Sequence, residues 1–240
     1  MRVAATSPTA DAARTDGPDV AFSRLDAIGV IRHLVPHESL VLEGDAADRF
    51  HRVLSGTIAG YKATADGRRQ ILAFSFPGDL VGLTAGERYA YSAEAVNHAS
   101  VRSVPHARLR ELAAQTPALR ESLLETLRRE VSAAQERLLW LGRKTARERL
   151  AGFLLECDGR IGQRDKDGRH SVPLPMSQLE IGDYLGLASE TVSRTLAELV
   201  RDGAIDIVRP FTGVVIRNRR RLERAADEAA LPADTRARTG

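Results

Sequence analysis

The stretch from Met176 to Ile205, MSQLEIGDYLGLASETVSRTLAELVRDGAI, constrains the fold more than any other part of the chain. It reads as two short helices joined by a tight turn. Ser177 stands where an N-cap should be, and Glu180, three residues on, completes a capping box. Gly186 falls where the first helix must stop, a position that favours left-handed backbone. Ser189 is placed to cap the second helix. At about 100° per residue, Val192, Leu196 and Leu199 share one face of that helix, and Glu190, Ser193, Arg194 and Ala197 share the opposite one. The first set suits a small core. The second is small and polar enough to reach base edges, as the second helix of a helix-turn-helix does in the major groove.

The flanking sequence supports that reading. After Gly203, AIDIV and GVVIR bracket Arg209-Pro210-Phe211-Thr212, which predicts a two-stranded wing. From Asn218 the chain is basic and then alanine-rich, and is expected to be a frayed helix or disordered. Upstream, Ala146 to Cys157 is an amphipathic helix with Leu150, Phe153 and Leu154 inward, followed by a polar, glycine-rich surface loop over 159–175. Gly142 to Thr145 reads as a hinge. Before it, Thr116-Pro117 is a good helix start. From there Leu119, Leu123, Leu127, Val131, Ala134, Leu138 and Leu141 recur at steps of four, four, four, three, four and three. This is close to a coiled-coil seam. A helix about 40 Å long must cover that seam with the chain's own β-domain or with a twin helix. One small barrel can hardly cover so long a stripe, which favours a second subunit.

Between Glu38 and Val104 short apolar runs alternate with turn residues, glycines among them, and predict a small sandwich or barrel of strands. Asp66-Gly67 is a hairpin signal, and Leu72, Phe74 and Phe76 alternate with Ala73 and Ser75 as a strand with one core face would. Phe22 to Leu34, with Phe22, Leu25, Ile28 and Ile31 at helical spacing, reads as a short amphipathic helix. Residues 1–20 read as a disordered tail without the apolar core of a signal peptide.

No apolar run approaches the length of a membrane span, so a cytoplasmic protein is the simplest expectation. The single cysteine, Cys157, excludes a disulfide framework and any metal or iron–sulfur site built from several cysteines of one chain. Paired carboxylates, a phosphate loop or a nucleophile elbow are not evident, so no enzyme and no catalytic residue are expected. The net charge of +3 is too small to identify a nucleic-acid binder by itself.

The order of a glycine-punctuated β-domain, a long helix, IGDYLGLASETVSRTLAELVRDGAI and a wing resembles the CRP/FNR superfamily of bacterial transcription regulators, over roughly Phe22 to Arg217. The segments GRRQILAFSFPGDLVGL and YSAEAV are similar to the β-domain of the FNR and FixK branches. The resemblance implies an α+β chain: an N-terminal cyclic-nucleotide-binding-like β jelly roll over 21–115, a dimerisation helix over 116–142, and a C-terminal winged helix-turn-helix over 143–218, with a tail over 219–240. It also implies a homodimer on palindromic double-stranded DNA with TTGA-type half-sites, contact with RNA polymerase through loops such as Thr64 to Arg69, and activation tied to oxygen limitation.

The family's Glu-x-x-Ser-Arg pattern stands here as Glu190, Ser193 and Arg194. Glutamate can accept from cytosine N4, and arginine can donate two bonds to guanine. The plainer alternative is a surface ion pair between Glu190 and Arg194. Ser177, Ser189 and Thr191 are expected at helix ends or phosphates. Cyclic-AMP receptors hold their ligand with Gly-Glu and Arg-Ser pairs. Here Gly82 precedes Leu83 and Tyr91 precedes Ser92, so the nucleotide ligands are missing. His33, His37, His51, His98, His106 and His170 form no recognisable haem-ligand pattern. The resemblance therefore points to a FixK-like regulator that needs no cofactor and no metal. A small-molecule- or haem-gated sensor is the alternative. Cys157 is either a small buried hydrophobe or a redox switch near the DNA.

Overall fold

The computed structural model describes residues 28–63, 69–84, 86–164 and 169–227. Its first half contains β1 (Val30–Leu34), β2 (Ser39–Val41), β3 (Arg49–Ser55), β4 (Ile58–Ala63), β5 (Arg69–Ser75), β6 (Leu80–Val81), β7 (Ser92–Ala95) and β8 (Ala99–Pro105). They form two antiparallel sheets ordered β1-β8-β3-β6 and β2-β7-β4-β5. Leu34, Val53, Ile58, Val81, Ala93 and Val101 fill the space between the sheets. The tight turns need glycine where φ is positive, as at Gly56, where a Cβ would lie 2.4 Å from the His98 carbonyl oxygen.

Two expectations for this domain change. Val30–Leu34 is a strand, paired with β8 from Val30 opposite Ser103 to Leu34 opposite Ala99, and not the end of a helix. Val30 and Ile31 are β-branched, and the ladder along β8 outweighs a weak helical spacing. Phe22 and Leu25 lie outside the described residues, as does the N-terminal tail. In β5 the buried positions are Ile71 and Phe74, with Leu72 only half-buried. The pairing steps from Gly60 opposite Ala73 to Tyr61 opposite Ile71, so Leu72 is the extra residue of a β-bulge. Alternation cannot register such an insertion. β4 and β5 pair antiparallel as the hairpin signal requires, while Asp66-Gly67 itself is outside the described residues.

Two helices follow, α1 (His106–Gln115) and α2 (Pro117–Arg143), the second opening with Pro117 in its first turn. Phe50, Leu80, Val104, Leu109 and Leu119 make a small core where barrel and helices meet. The chain breaks at Lys144 and restarts as α3 (Ala146–Ile161), whose N-terminus is closed by a Thr145–Glu148 capping box.

The remaining elements are β9 (Gln163–Arg164), β10 (His170–Pro173), α4 (Gln178–Leu185), α5 (Ser189–Arg201), β11 (Ile205–Val208), β12 (Gly213–Ile216) and α6 (Arg219–Ala226). The strands form one sheet ordered β11-β12-β10-β9. Within the expected surface loop over 159–175, the described residues include the end of α3 and two paired strands, residues 165–168 lying outside the described residues; polarity hid the half-buried edge around Val172. The expected frayed tail is replaced, over Arg219–Ala226, by a docked helix. Its arginines mask an apolar i, i+3, i+4 stripe of Leu222, Ala225 and Ala226, which is buried with the core of α3. Asp158 of α3 binds His170 Nε2 at 2.7 Å and also pairs with Arg219, tying α3, β10 and α6 together.

Candidate nucleic-acid interface

The two short helices meet at a turn that the sequence prepares in detail. The Ser177 hydroxyl accepts the Glu180 N–H at 3.2 Å and donates to the Glu180 carboxylate at 2.8 Å, so it is committed to the capping box. Met176 and Ile181, on either side of that cap, are both buried in one core. Gly186 adopts φ +65° and ends α4. Gly182 is required for a second reason: a Cβ there would lie 2.5 Å from the Leu187 carbonyl oxygen, so the chain can fold back over α4 only if that side chain is absent.

α5 then buries Val192, Thr195, Leu196 and Leu199 and exposes Glu190, Ser193, Arg194 and Ala197. The two-faced helix read from the sequence is therefore present. Ser189 is corrected: the N-cap is Ala188, Ser189 is the first helical residue, and no side chain caps this end. The register is one residue earlier than the Ser signal suggests, because the turn closes at Leu187 N–H to Gly182 C=O, 2.9 Å, and leaves Ala188 to start the helix. Thr191 is half-buried and its hydroxyl accepts from Arg194 Nη2 at 3.3 Å. No ion pair joins Glu190 and Arg194 among the described residues, so both charges face solvent independently.

Cys157 is not placed for redox chemistry. It is buried in the core with Leu154 and Val172, and burial, reinforced by Glu156, pushes its thiol far above the ordinary cysteine range. A thiol enclosed in this way is poorly placed to act as a nucleophile or to meet an oxidant. Of the two readings of Cys157, its burial favours the small buried hydrophobe over the redox switch.

The seam of α2 divides in two. Leu119 is fully buried against the barrel and Leu123 is half-buried. Beyond them Leu127, Val131, Leu138 and Leu141 are 43%, 57%, 71% and 40% exposed, and Ala134 is also exposed.

In the barrel, the Tyr91 phenol oxygen accepts the Gly82 N–H at 3.2 Å, and burial raises its pKa so that it stays neutral. His51 Nδ1 is 2.7 Å from the Ser103 hydroxyl, and burial, aided by Arg32 and Arg49, lowers its pKa to about 4. Among the described residues no group of three or more His, Cys, Asp or Glu side chains could hold a metal ion, and no helix is long and apolar enough to cross a membrane.

Sequence reasoning missed a set of ties between the elements. Gln70 of β5 donates to the Asp183 carbonyl of α4. Arg137 of α2 donates to the carbonyl of the bulged Leu72 and lies 4.5 Å from the centre of the Tyr184 ring. Phe74, Phe153 and Tyr184 pack as mutually tilted rings with centroids 5.1–6.2 Å apart. Arg149 of α3 donates to Lys144, Leu185 and Leu141 carbonyls, each at 3.0 Å. In the sequence these arginines are indistinguishable from solvated charges; their partners are backbone oxygens brought close only by the fold.

Residues 148–225 match the Crp-like helix-turn-helix domain, and residues 31–116 match the cyclic nucleotide-binding domain. The chain is 39% identical to the nitrogen fixation regulation protein FixK of Bradyrhizobium diazoefficiens over 176 residues, 73% of this chain and 74% of that protein. It is 38% identical to the transcriptional activator protein FnrA of Stutzerimonas stutzeri over 73% of this chain and 72% of that one. Among solved structures, FixK2 from Bradyrhizobium japonicum superposes with a TM-score of 0.77 at 37% identity, covering 82% of this chain and 97% of that one.

Proposed function

The chain belongs to the CRP/FNR family, in its FixK-like branch, and is a DNA-binding transcription regulator; on that premise we propose that it works as a homodimer, reading an inverted repeat of TTGA-type half-sites and activating transcription through contact with RNA polymerase in the cytoplasm. The observation that carries the reading is the solvent-facing set Glu190, Ser193 and Arg194 on a helix whose other face is wholly buried. Arg194 donates to guanine, Glu190 accepts from cytosine, and Ser193 lies between them. Ser189 and Thr191 border the phosphates, while Ser177 holds the start of α4 through its capping box. The dimer forms along Leu127, Val131, Ala134, Leu138 and Leu141. The functional units are the barrel (21–115), the dimerisation helix (116–142) and the reading head from 143 to 218, to which α6 is added because its apolar face completes that core.

Control is tied to oxygen limitation, in keeping with the relative named for nitrogen fixation regulation. It acts through the amount of protein and not through a bound cofactor. Tyr91 supports this: it stands where cyclic-AMP receptors carry the phosphate-binding arginine, and a neutral phenol offers a cyclic phosphate no charge. No catalytic role is assigned to any residue.

Selection of bound DNA by the purified protein gives the half-site. Arg194→Ala then costs about 1–3 kcal/mol on the selected site and relaxes preference at one G·C pair, while a phosphate-contacting side chain weakens all sequences alike. If Arg194→Ala binds every sequence as the parent does, α5 is not the reading helix.

A further inference from the structure

A dimer reads two half-sites correctly only if its two reading heads are held at one distance and one rotation. The dimer axis runs with α2, so that distance depends on what joins the reading head to α2. The covalent link is short: α2 ends at Arg143, Lys144 intervenes, and Thr145 caps α3. Two peptide units of extended backbone would allow the head to swing about this joint. Arg149 spans it. Its Nε donates to the Lys144 carbonyl and its Nη2 to the Leu141 carbonyl, both at the C-terminal end of α2. Its Nη1 donates to the Leu185 carbonyl, at the C-terminal end of α4.

One planar guanidinium thus closes two helix ends against each other, where carbonyls lack helical partners and the helix dipoles favour a cation. The turn that launches α5 is packed on the same point: a Cβ on Gly186 would lie 3.2 Å from Leu141 Cδ2 and 3.7 Å from Arg149 Nη1. Arg137 adds a second tie one turn back, between α2, the Leu72 bulge and the Tyr184 ring.

We propose that Arg149 is a positioning residue for DNA recognition that fixes the number of base pairs between the two half-sites. It touches no base. It holds the helix-turn-helix turn to the end of the dimerisation helix, so that both copies of α5 present at one spacing without an effector. The proposal rests on the homodimer reading given above. Base identity within a half-site is set by Glu190, Ser193 and Arg194; spacing is set by Arg149.

The chemistry makes lysine a discriminating substitute. It keeps the charge but presents a single ammonium in place of a rigid fork, and cannot reproduce the three separate donor positions that Arg149 offers the Lys144, Leu185 and Leu141 carbonyls. Inserting or deleting one base pair moves a half-site by about 3.4 Å and turns it by about 35°. A rigid dimer therefore loses contacts at a misspaced site, at least about tenfold in affinity.

The test measures binding of the full-length protein and of Arg149→Lys to a panel of duplexes with the selected half-site and spacers shortened or lengthened by one and two base pairs. Arg137→Gln is carried in parallel, so that the result stands if Arg149→Lys is unstable, and thermal unfolding is recorded for each. The expected result is that the parent prefers one spacer by at least about tenfold, and that the variants narrow this to about threefold or less while half-site preference is unchanged. Equal spacer discrimination in the parent and variants, with only a lower melting temperature or a uniform loss of affinity, overturns the proposal. Loss of half-site preference together with spacing overturns it too, because Arg149 would then be shaping α5 itself. If the parent selects no inverted repeat at all, it is the homodimer reading that fails.

Discussion

α5 and α2 carry the same kind of apolar stripe and end in opposite surroundings. In α5, Val192, Leu196 and Leu199 are covered completely by α3, α4 and the wing. In α2 the first turn is covered by the barrel, and from Leu127 onward the stripe lies open, with Leu138 71% exposed. The spacing of apolar residues is as regular in one as in the other, so periodicity alone does not say where a partner comes from. What differs is reach. A helix of 13 residues inside a small domain finds its core within that domain. A helix of 27 residues outruns the barrel that covers its start. On the homodimer reading proposed above, the uncovered half is the surface on which a second chain would complete the fold.

The largest effect should come from placing charge on the open half. Leu127→Asp with Leu138→Asp would put two unpaired carboxylates from each chain into the helix pair. The variant is expected to sediment as a folded monomer, and its affinity for the inverted repeat to fall by about 100-fold or more, since the second half-site is no longer held near the first. A dimer of unchanged strength would break the comparison, by showing that the open stripe has another use.

Next in size is a cavity in the closed stripe. Leu196→Ala is expected to cost about 2–5 kcal/mol, measured by urea unfolding, with the same loss at low and high protein concentration. Leu138→Ala should behave differently. Its loss should appear as a change in how the melting temperature depends on concentration, because the stabilisation comes through association. If both variants lose stability independently of concentration, the two stripes are the same kind of core.

This contrast also explains what could be read in advance. The reading head was legible because its signals are local: the Ser177–Glu180 box, Gly186 and the two faces of α5 all lie within one short stretch. The barrel was legible only as a class. Its strands depend on partners far along the chain, so the helical spacing over Phe22 to Leu34 hides a strand from Val30 that pairs with β8. The bulge at Leu72 could not be seen because it exists only relative to β4. The same limit concealed the roles of Arg137 and Arg149, whose acceptors are backbone carbonyls and leave no trace in side-chain patterns. Ser189 misled by composition: a good capping residue sits one position inside the helix it was expected to cap. For Cys157 the sequence left two readings open, and only the fold shows that its sulfur is enclosed in the core.

The smallest effect is expected on the back of α2, and it decides whether the seam or the whole helix surface matters. Glu125 and Arg129 lie on the side opposite Leu127 and Leu138, about half a turn round at 100° per residue. Arg129 Nε is 3.2 Å from the Glu125 carboxylate, an i, i+4 pair with the acid N-terminal, and both side chains are largely exposed. Such a pair contributes about 0.3–0.5 kcal/mol, less in salt. Arg129→Ala should therefore lower stability by no more than about 0.5 kcal/mol and leave both the dimer and its DNA affinity unchanged. If Arg129→Ala instead weakened association as strongly as a seam substitution, the second chain would have to reach the far side of α2. A two-helix contact along Leu127 to Leu141 could not do that, and the partner would need to surround the helix.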